Sequence, residues 1–386
     1  MKRRLKTKRK RIAVVTGTRA EYGLLVSLMR AVAAHPRLEL QLVATGIHLL
    51  RRFGHTIDQI RADGWRVDAA VPMQRGNDDP ADQAAGLGRG TAGIARFLVK
   101  HDTDVVVVLG DRIEAMAGAL AAVTTGCALA HIHGGDAALG DFDDSLRHAI
   151  TKLAHVHFTA TRASSRRVLR MGEQPERIFF VGAPGLDRLR EILAETPKPR
   201  RRSCDAGYAL VIQHAYGRSA CTEEQGMTAV LEEVAAAGMQ RVILYPNTDR
   251  GHRGILQAIG KHVRSSETGT VNAHRSLPRD DYLRLLAGAR VLIGNSSSGL
   301  IEAPLAGTPV VNVGRRQANR QPGGPAILSC AETRASIRAA LHAALHARPR
   351  RGGRSPYGAG RAGQRIAQIL GKLRITEDLL KKQIAY

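Results

Sequence analysis

Four valines follow one another between Asp104 and Leu109. A strand with one wet face alternates apolar and polar residues, whereas an unbroken β-branched run suits a strand buried on both faces. Such strands build parallel sheets, whose crossover helices cover both sides. The run closes on Gly110-Asp111-Arg112, and an alanine-rich helical stretch follows it.

The same strand, turn, helix order recurs along the chain. Arg11 to Val15 reads as a strand, Thr16-Gly17-Thr18-Arg19 as its turn, and about Glu21 to Ala34 as a helix. Leu38 to Ala44, Ala128 to Ile132 and Ile178 to Val181 are further strands, and Asp143 to Ala154 is a helix with acids at its start. A Pro- and Arg-rich break spans residues 196 to 206. Alternation then restarts with strands Tyr208 to Gln213, Arg241 to Tyr245, Val271 to Ala273, Arg290 to Ile293 and Pro309 to Val313. Helices are expected at about Glu223 to Ala237, near Ile255, from Asp281, and over Arg361 to Leu373. The predicted class is α/β, with two doubly wound Rossmann-like domains facing across a cleft. The expected boundaries are a basic arm over 1–11, a first domain over 12–195, a linker over 196–206, a second domain over 207–358 and a terminal segment over 359–386.

Composition narrows the class. The chain has 386 residues and is 44% hydrophobic, enough for substantial cores. No run reaches the roughly 18 to 20 apolar residues of a membrane span. The apolar stretch behind the basic N-terminus, Ile12 to Val15, is too short for a secretory signal, so a cytoplasmic protein is expected. The cysteines Cys127, Cys204, Cys221 and Cys330 lie far apart, which gives no support to a zinc ribbon or a redox pair. Neither a metal nor a cofactor is expected. The net charge is +24, with eight of the positive charges in residues 1–11. A solvated tail or a nucleic-acid contact both fit that arm. With aromatics at 4%, stacking platforms for single strands are scarce.

In doubly wound sheets ligands bind beyond the carboxyl ends of the strands. Arg19, Asp111, His133, Asp136, His214 and the serines of Gly294-Asn295-Ser296-Ser297-Ser298-Gly299 all fall there. The serine turn offers hydroxyls and N–H groups to a phosphate, or it simply caps a helix. It is not a Walker loop, since no Gly-Lys-Ser/Thr follows. Asp111, Arg112, His131, His133 and Asp136 put acids and histidines at adjacent strand ends, as proton transfer near neutral pH requires. His131 alternates with His133 and is expected to be structural, as are His148, His155 and His157.

In order, TGTRAEYGLL from Thr16, VATGIHLL from Val43, GDRIE from Gly110, HIHGGD from His131, DDSLRHAITKLAHVHF from Asp143, GNSSSGLIEAP from Gly294 and VNVGRRQ from Val311 closely resemble the hydrolysing UDP-N-acetylglucosamine 2-epimerases. The likeness covers residues 12 to about 320. It implies a glycosyltransferase-B-like fold whose final helix packs back on the first domain. It also implies conversion of UDP-N-acetylglucosamine to N-acetylmannosamine and UDP, by elimination and then hydration, in sialic-type acid biosynthesis. A sister branch acts on UDP-N,N′-diacetylbacillosamine.

By motif, Arg19, Ser296, Ser297 and Arg316 are similar to the family's phosphate contacts, and Glu302 to the acid that holds the ribose. Arg112, Asp136, Ser298 and Gln317 join the expected substrate contacts. Asp111, Asp143, Asp144 and His214 match residues implicated in proton transfer. His133 stands where some relatives carry Glu and is counted with the catalytic candidates. The expected partners are the UDP-sugar, the UDP product and further copies of the chain.

Three departures bear on specificity. Asp136 stands where Glu is usual, Arg315 replaces an Asp or Thr, and His214-Ala215 replaces His-Pro. A glycosyltransferase activity on the same fold and nucleic-acid binding through the arm are the alternatives.

Overall fold

The computed structural model describes residues 9–75, 80–137, 143–195, 207–246, 249–275, 277–347, 349, 351–353 and 355–385. The expected linker 196–206 and the first eight residues of the basic arm lie outside them. The arm's last two residues, Lys10 and Arg11, are already part of the first strand. The chain divides into two compact units. The first holds the residues up to Asp136, Asp143–Gly185 and Arg361–Tyr386, and the second holds Ala137 and Leu186–Gly360.

The first unit carries seven strands. They are β1 (Lys10–Thr16), β2 (Leu38–Thr45), β3 (Ala69–Val71), β4 (Val105–Leu109), β5 (Ala128–Ile132), β6 (Val156–Thr159) and β7 (Ile178–Phe180). They form one sheet in the order β3-β2-β1-β4-β5-β6-β7. Every pairing is parallel. The valine run divides between two cores: Val105 and Val107 pack on one face with Ile12, Val14, Leu25 and Leu28, and Val106 and Val108 on the other with Ala13, Val15 and Ala117. All four valines are fully buried. Each contributes about 1.5–3 kcal/mol of apolar burial.

The helix Arg19–Ala34 starts at Thr18, whose hydroxyl accepts from the Glu21 N–H at 3.2 Å. The helix Ala362–Lys372 lies in the same unit and buries Ile366, Ala367 and Leu370 in that core. Gly363 allows the close approach, because a Cβ there would stand 2.7 Å from the Leu28 nitrogen.

The second unit carries β8 (Tyr208–Ile212), β9 (Gln240–Leu244), β10 (Val271–His274), β11 (Val291–Gly294), β12 (Val310–Val313) and β13 (Ile327–Cys330). The order is β10-β9-β8-β11-β12-β13, again all parallel. The helix Gly185–Glu195 falls to this unit from Leu186 onward, where Arg188 pairs with Asp280. Both sheets are therefore doubly wound, and each reverses strand order once. The reversals lie between β1 and β4 in the first sheet and between β8 and β11 in the second. Those are the places where such sheets bind ligands. No helix among the described residues is long and apolar enough to cross a membrane.

Candidate functional site

At the first reversal the turns after β1 and β4 meet on Glu114, which is fully buried. Its carboxylate accepts from Gln74 Nε2 at 3.0 Å and from Arg112 Nε at 3.3 Å. Gly17 and Gly46 have no side chain because Glu114 fills that space: a Cβ would stand 2.3 Å and 2.6 Å from its Cγ. Glu21 accepts from the Gly17 N–H at 2.7 Å. Burial is the main cause that pushes the Glu21 carboxyl up to about 8, and the nearby Glu114 adds to it. Arg19 opens the helix that follows, half-buried, with its pKa lowered by burial against an opposing pull from Asp63.

One strand end further, Asp111 pairs with Arg147. Arg147 is 3% exposed and also holds Asp144 at 3.3 Å. Burial alone would lower the Arg147 pKa, but Asp111, Asp136 and Asp144 outweigh it and raise it. Asp143 and Asp144 form the first turn of the helix Asp143–Leu153. His131 is buried and bonds to the Gly110 carbonyl at 2.7 Å and to Thr151 Oγ1 at 3.1 Å. Burial drives its pKa down to about 3, so the ring is neutral and structural. His133 lies 2.9 Å from Asp136 through Nδ1, and Ser164 Oγ donates to Asp136 at 2.7 Å. Thus Asp111, Asp144, His133 and Asp136 gather around Arg147 in this unit.

At the second reversal, Gly294 has φ +133, and a Cβ there would stand 2.0 Å from the Ile212 carbonyl oxygen. Only glycine lets β11 end so close to β8. Asn295, fully buried, then clamps the His214 peptide: Oδ1 accepts from the His214 N–H and Nδ2 donates to its carbonyl, both at 2.8 Å. Gln317 and Arg316 donate to the Asn295 carbonyl at 2.9 and 3.3 Å. Burial, with a smaller contribution from Arg316, holds His214 down at about 3, so its ring is neutral at pH 7. Ser296 caps the helix Ser297–Ile301.

That helix is a single turn, so any anion affinity there comes from hydroxyls and N–H groups more than from a macrodipole. Ser298 is turned inward, donating to Glu302 at 2.6 Å and bonding Tyr282. Glu302 also pairs with Arg279. Arg315, one of the departures, is exposed, while Arg316 is half-buried and Gln317 buried.

Arg147, Ser164, Arg279 and Tyr282 are not among the site residues expected from the sequence, and nothing there shows that Asn295 clamps His214. Arg147 had a local signal, its i,i+3 spacing from Asp144 on a helix. Ser164 had none, being 28 residues from Asp136. Among the described residues no group of three or more His, Cys, Asp or Glu is placed to hold a metal.

The profile of the UDP-N-acetylglucosamine 2-epimerases matches residues 30–371. The chain belongs to that family. It is 32% identical to the UDP-N,N′-diacetylbacillosamine 2-epimerase (hydrolyzing) of Legionella pneumophila, over 98% of this chain and 100% of that one. It is 33% identical to a UDP-N-acetylglucosamine 2-epimerase of Neisseria meningitidis, over 84% of this chain and 85% of that one. In fold it is similar to the crystal structure of the Neisseria meningitidis UDP-GlcNAc 2-epimerase bound to UDP-GlcNAc, with TM-score 0.77 and 17% identity over 94% of this chain and 100% of that one. The relatives include hydrolysing enzymes and a polysialic acid biosynthesis protein. They lend the nucleic-acid alternative no support.

Proposed function

We propose that this epimerase is of the hydrolysing kind and acts on a UDP-linked 2-acetamido sugar. A base removes the proton at sugar C2 as the C1–O bond to UDP breaks, which leaves a glycal. Water then adds, hydroxyl to C1 and a proton to C2 from the opposite face. The products are a free manno-configured sugar and UDP.

The observation that carries this reading is the Asp111–Arg147–Asp144 group beside the His133–Asp136 pair at the neighbouring ends of β4 and β5. Proton removal from a weakly acidic C–H needs a positioned base, and return of a proton needs an acid, so several such groups are required. In the second unit the N–H groups of the turn Ser296–Ser298, the Ser297 hydroxyl, Arg316 and Gln317 provide donors for a diphosphate, and Glu302, held by Ser298 and Arg279, an acceptor for a ribose hydroxyl. Arg19 and Arg112 supply further positive charge. The neutral ring of His214 acts as a hydrogen-bond partner and not as a standing cation. The chain works without a cofactor, in the cytoplasm, as a homo-oligomer.

Full-length similarity to the Legionella enzyme favours UDP-N,N′-diacetylbacillosamine as a second candidate beside UDP-N-acetylglucosamine. The test is NMR of both UDP-sugars, side by side, in D2O. The expected result is one equivalent of UDP per free manno-configured sugar, with deuterium at C2. A product without deuterium at C2 overturns the elimination route, and a product still joined to UDP overturns hydrolysis.

A further inference from the structure

We propose that Asp136 is a positioning residue for His133, that Ser164 locks it in that task, and that His133 Nε2 is the atom that exchanges the proton. The inference rests on the reading of His133 as a proton-transfer group and assigns the roles within it.

The geometry around Asp136 decides between a substrate contact and an orienter. Its side chain is 3% exposed and that of His133 is 8% exposed. One oxygen, Oδ2, faces His133 Nδ1 at 2.9 Å, and the other, Oδ1, accepts from Ser164 Oγ at 2.7 Å. Both oxygens are thus engaged by the protein itself. An ionised carboxylate only accepts hydrogen bonds, so the ring proton of neutral His133 sits on Nδ1. The basic lone pair is then on Nε2. A carboxylate behind an imidazole fixes its tautomer and stabilises the imidazolium that forms when Nε2 takes a proton.

The surrounding loop is built to hold this arrangement. His133 sits at φ +65, a conformation that is unfavourable for a non-glycine residue and persists only where the surroundings impose it. Its N–H donates to the Phe158 carbonyl at 3.0 Å. Gly135, at φ +73, rests on the helix Arg162–Arg170: a Cβ there would stand 2.5 Å from the Ser164 carbonyl oxygen. Arg167 of the same helix donates to the Gly135 carbonyl. Ser164 is held in turn by Thr161, whose Oγ1 accepts from the Ser164 N–H at 3.0 Å. One helix therefore braces the loop at Asp136 and at Gly135. Charged and titratable groups near the pair include Arg147, which acts on Asp136, the neutral His131, and Arg167.

The test uses the whole chain with Asp136→Asn and Ser164→Ala, read in two ways. In 15N NMR of the ligand-free protein, His133 is expected as the Nδ1–H tautomer. Asp136→Asn, whose amide donates to Nδ1, should move the proton to Nε2. With the better of the two UDP-sugars, Asp136→Asn should lower kcat by roughly 10²- to 10⁴-fold with KM unchanged. Ser164→Ala should lower kcat less and move the acid limb of the kcat–pH profile to lower pH, because a loosened carboxylate stabilises the imidazolium less. A purely structural role would lower the Tm and leave that limb in place.

A rise in KM at constant kcat for Asp136→Asn makes Asp136 a substrate contact and overturns the proposal. A flipped tautomer with unchanged kcat also overturns it. An Nε2–H tautomer in the parent protein does so without any assay. If neither UDP-sugar turns over in the parent protein, the reading of the reaction has failed while the tautomer measurement still stands.

Discussion

Glu21 combines a buried carboxyl, a backbone donor and a second buried acid in Glu114. Its folded pKa, about 8, lies above the ordinary 4.5. An acid shifted up in this way binds a proton in the folded state that the unfolded chain has already lost. Its contribution to stability is therefore full below about 4.5 and falls as the pH rises to about 8. Glu21→Gln keeps an acceptor for the Gly17 N–H and removes the titration. Thermal melts of both proteins should show the variant gaining Tm over the parent as the pH goes from about 5 to about 8.5. A gap that does not change with pH would refute the assignment. The sequence does show Thr18-x-x-Glu21, a capping-box spacing, but no sequence pattern says that Glu114 lies against it. Long-range pairs of this kind, Asp136 with Ser164 or His214 with Asn295, need the fold before they can be seen. By contrast Asp111, His133, Asp136 and Asn295 could be placed at strand ends by their glycines and the apolar runs before them.

Among the elements, most strands expected from the sequence are buried ones, but the half-exposed β7 and β10 are also expected and the wholly buried β6 is not. Ala128–Ile132 has the bounds the apolar run predicts, and β4 loses only Asp104. The helix Pro80–Lys100 has no counterpart among the elements expected from the sequence, because Gly86, Gly88, Gly90 and Gly93 argue against a helix. Their use is in packing: a Cβ on Gly90 or Gly93 would run into Met73 or Val71 at 2.6 and 2.4 Å. Strand β3, Ala69–Val71, is too short to announce itself.

The C-terminal segment is likewise fixed by remote partners. Lys382 donates to the Ala154 carbonyl at 2.7 Å and to Glu173 at 2.8 Å. Burial would push the Glu173 carboxyl up, but hydrogen bonds from His157, Lys152 and Lys382 bring it down to about 2. Lys382→Met should lower stability by about 1.5–3 kcal/mol, the range for a hydrogen bond to a charged group. Denaturant titration measures it. A loss within error would mean that Lys152 and His157 alone hold Glu173.

Each unit has its own core, with Ala209, Val211, Val291, Ile293, Val311 and Val313 at the centre of the second. Each unit also has its own proposed task, most nucleotide contacts in the second and most proton handling in the first. A ligand that binds only the folded state stabilises it by RT ln(1 + [L]/Kd), about 2.7 kcal/mol at 100-fold excess over Kd. Backbone amides that exchange only when the second unit opens should therefore slow by about 100-fold with UDP at that level. Hydrogen exchange with and without UDP reads this directly. Protection is expected over 294–302 and at His214, where the Asn295 clamp joins the two strand ends. Strand β7, Ile178–Phe180, lies at the far edge of the first sheet and serves as the control. The turn 16–19 is no control, since Arg19 is itself a proposed phosphate contact. Protection confined to the first unit, or none over 294–302, would remove the serine turn from nucleotide binding while leaving the Asp111–Arg147 group in place.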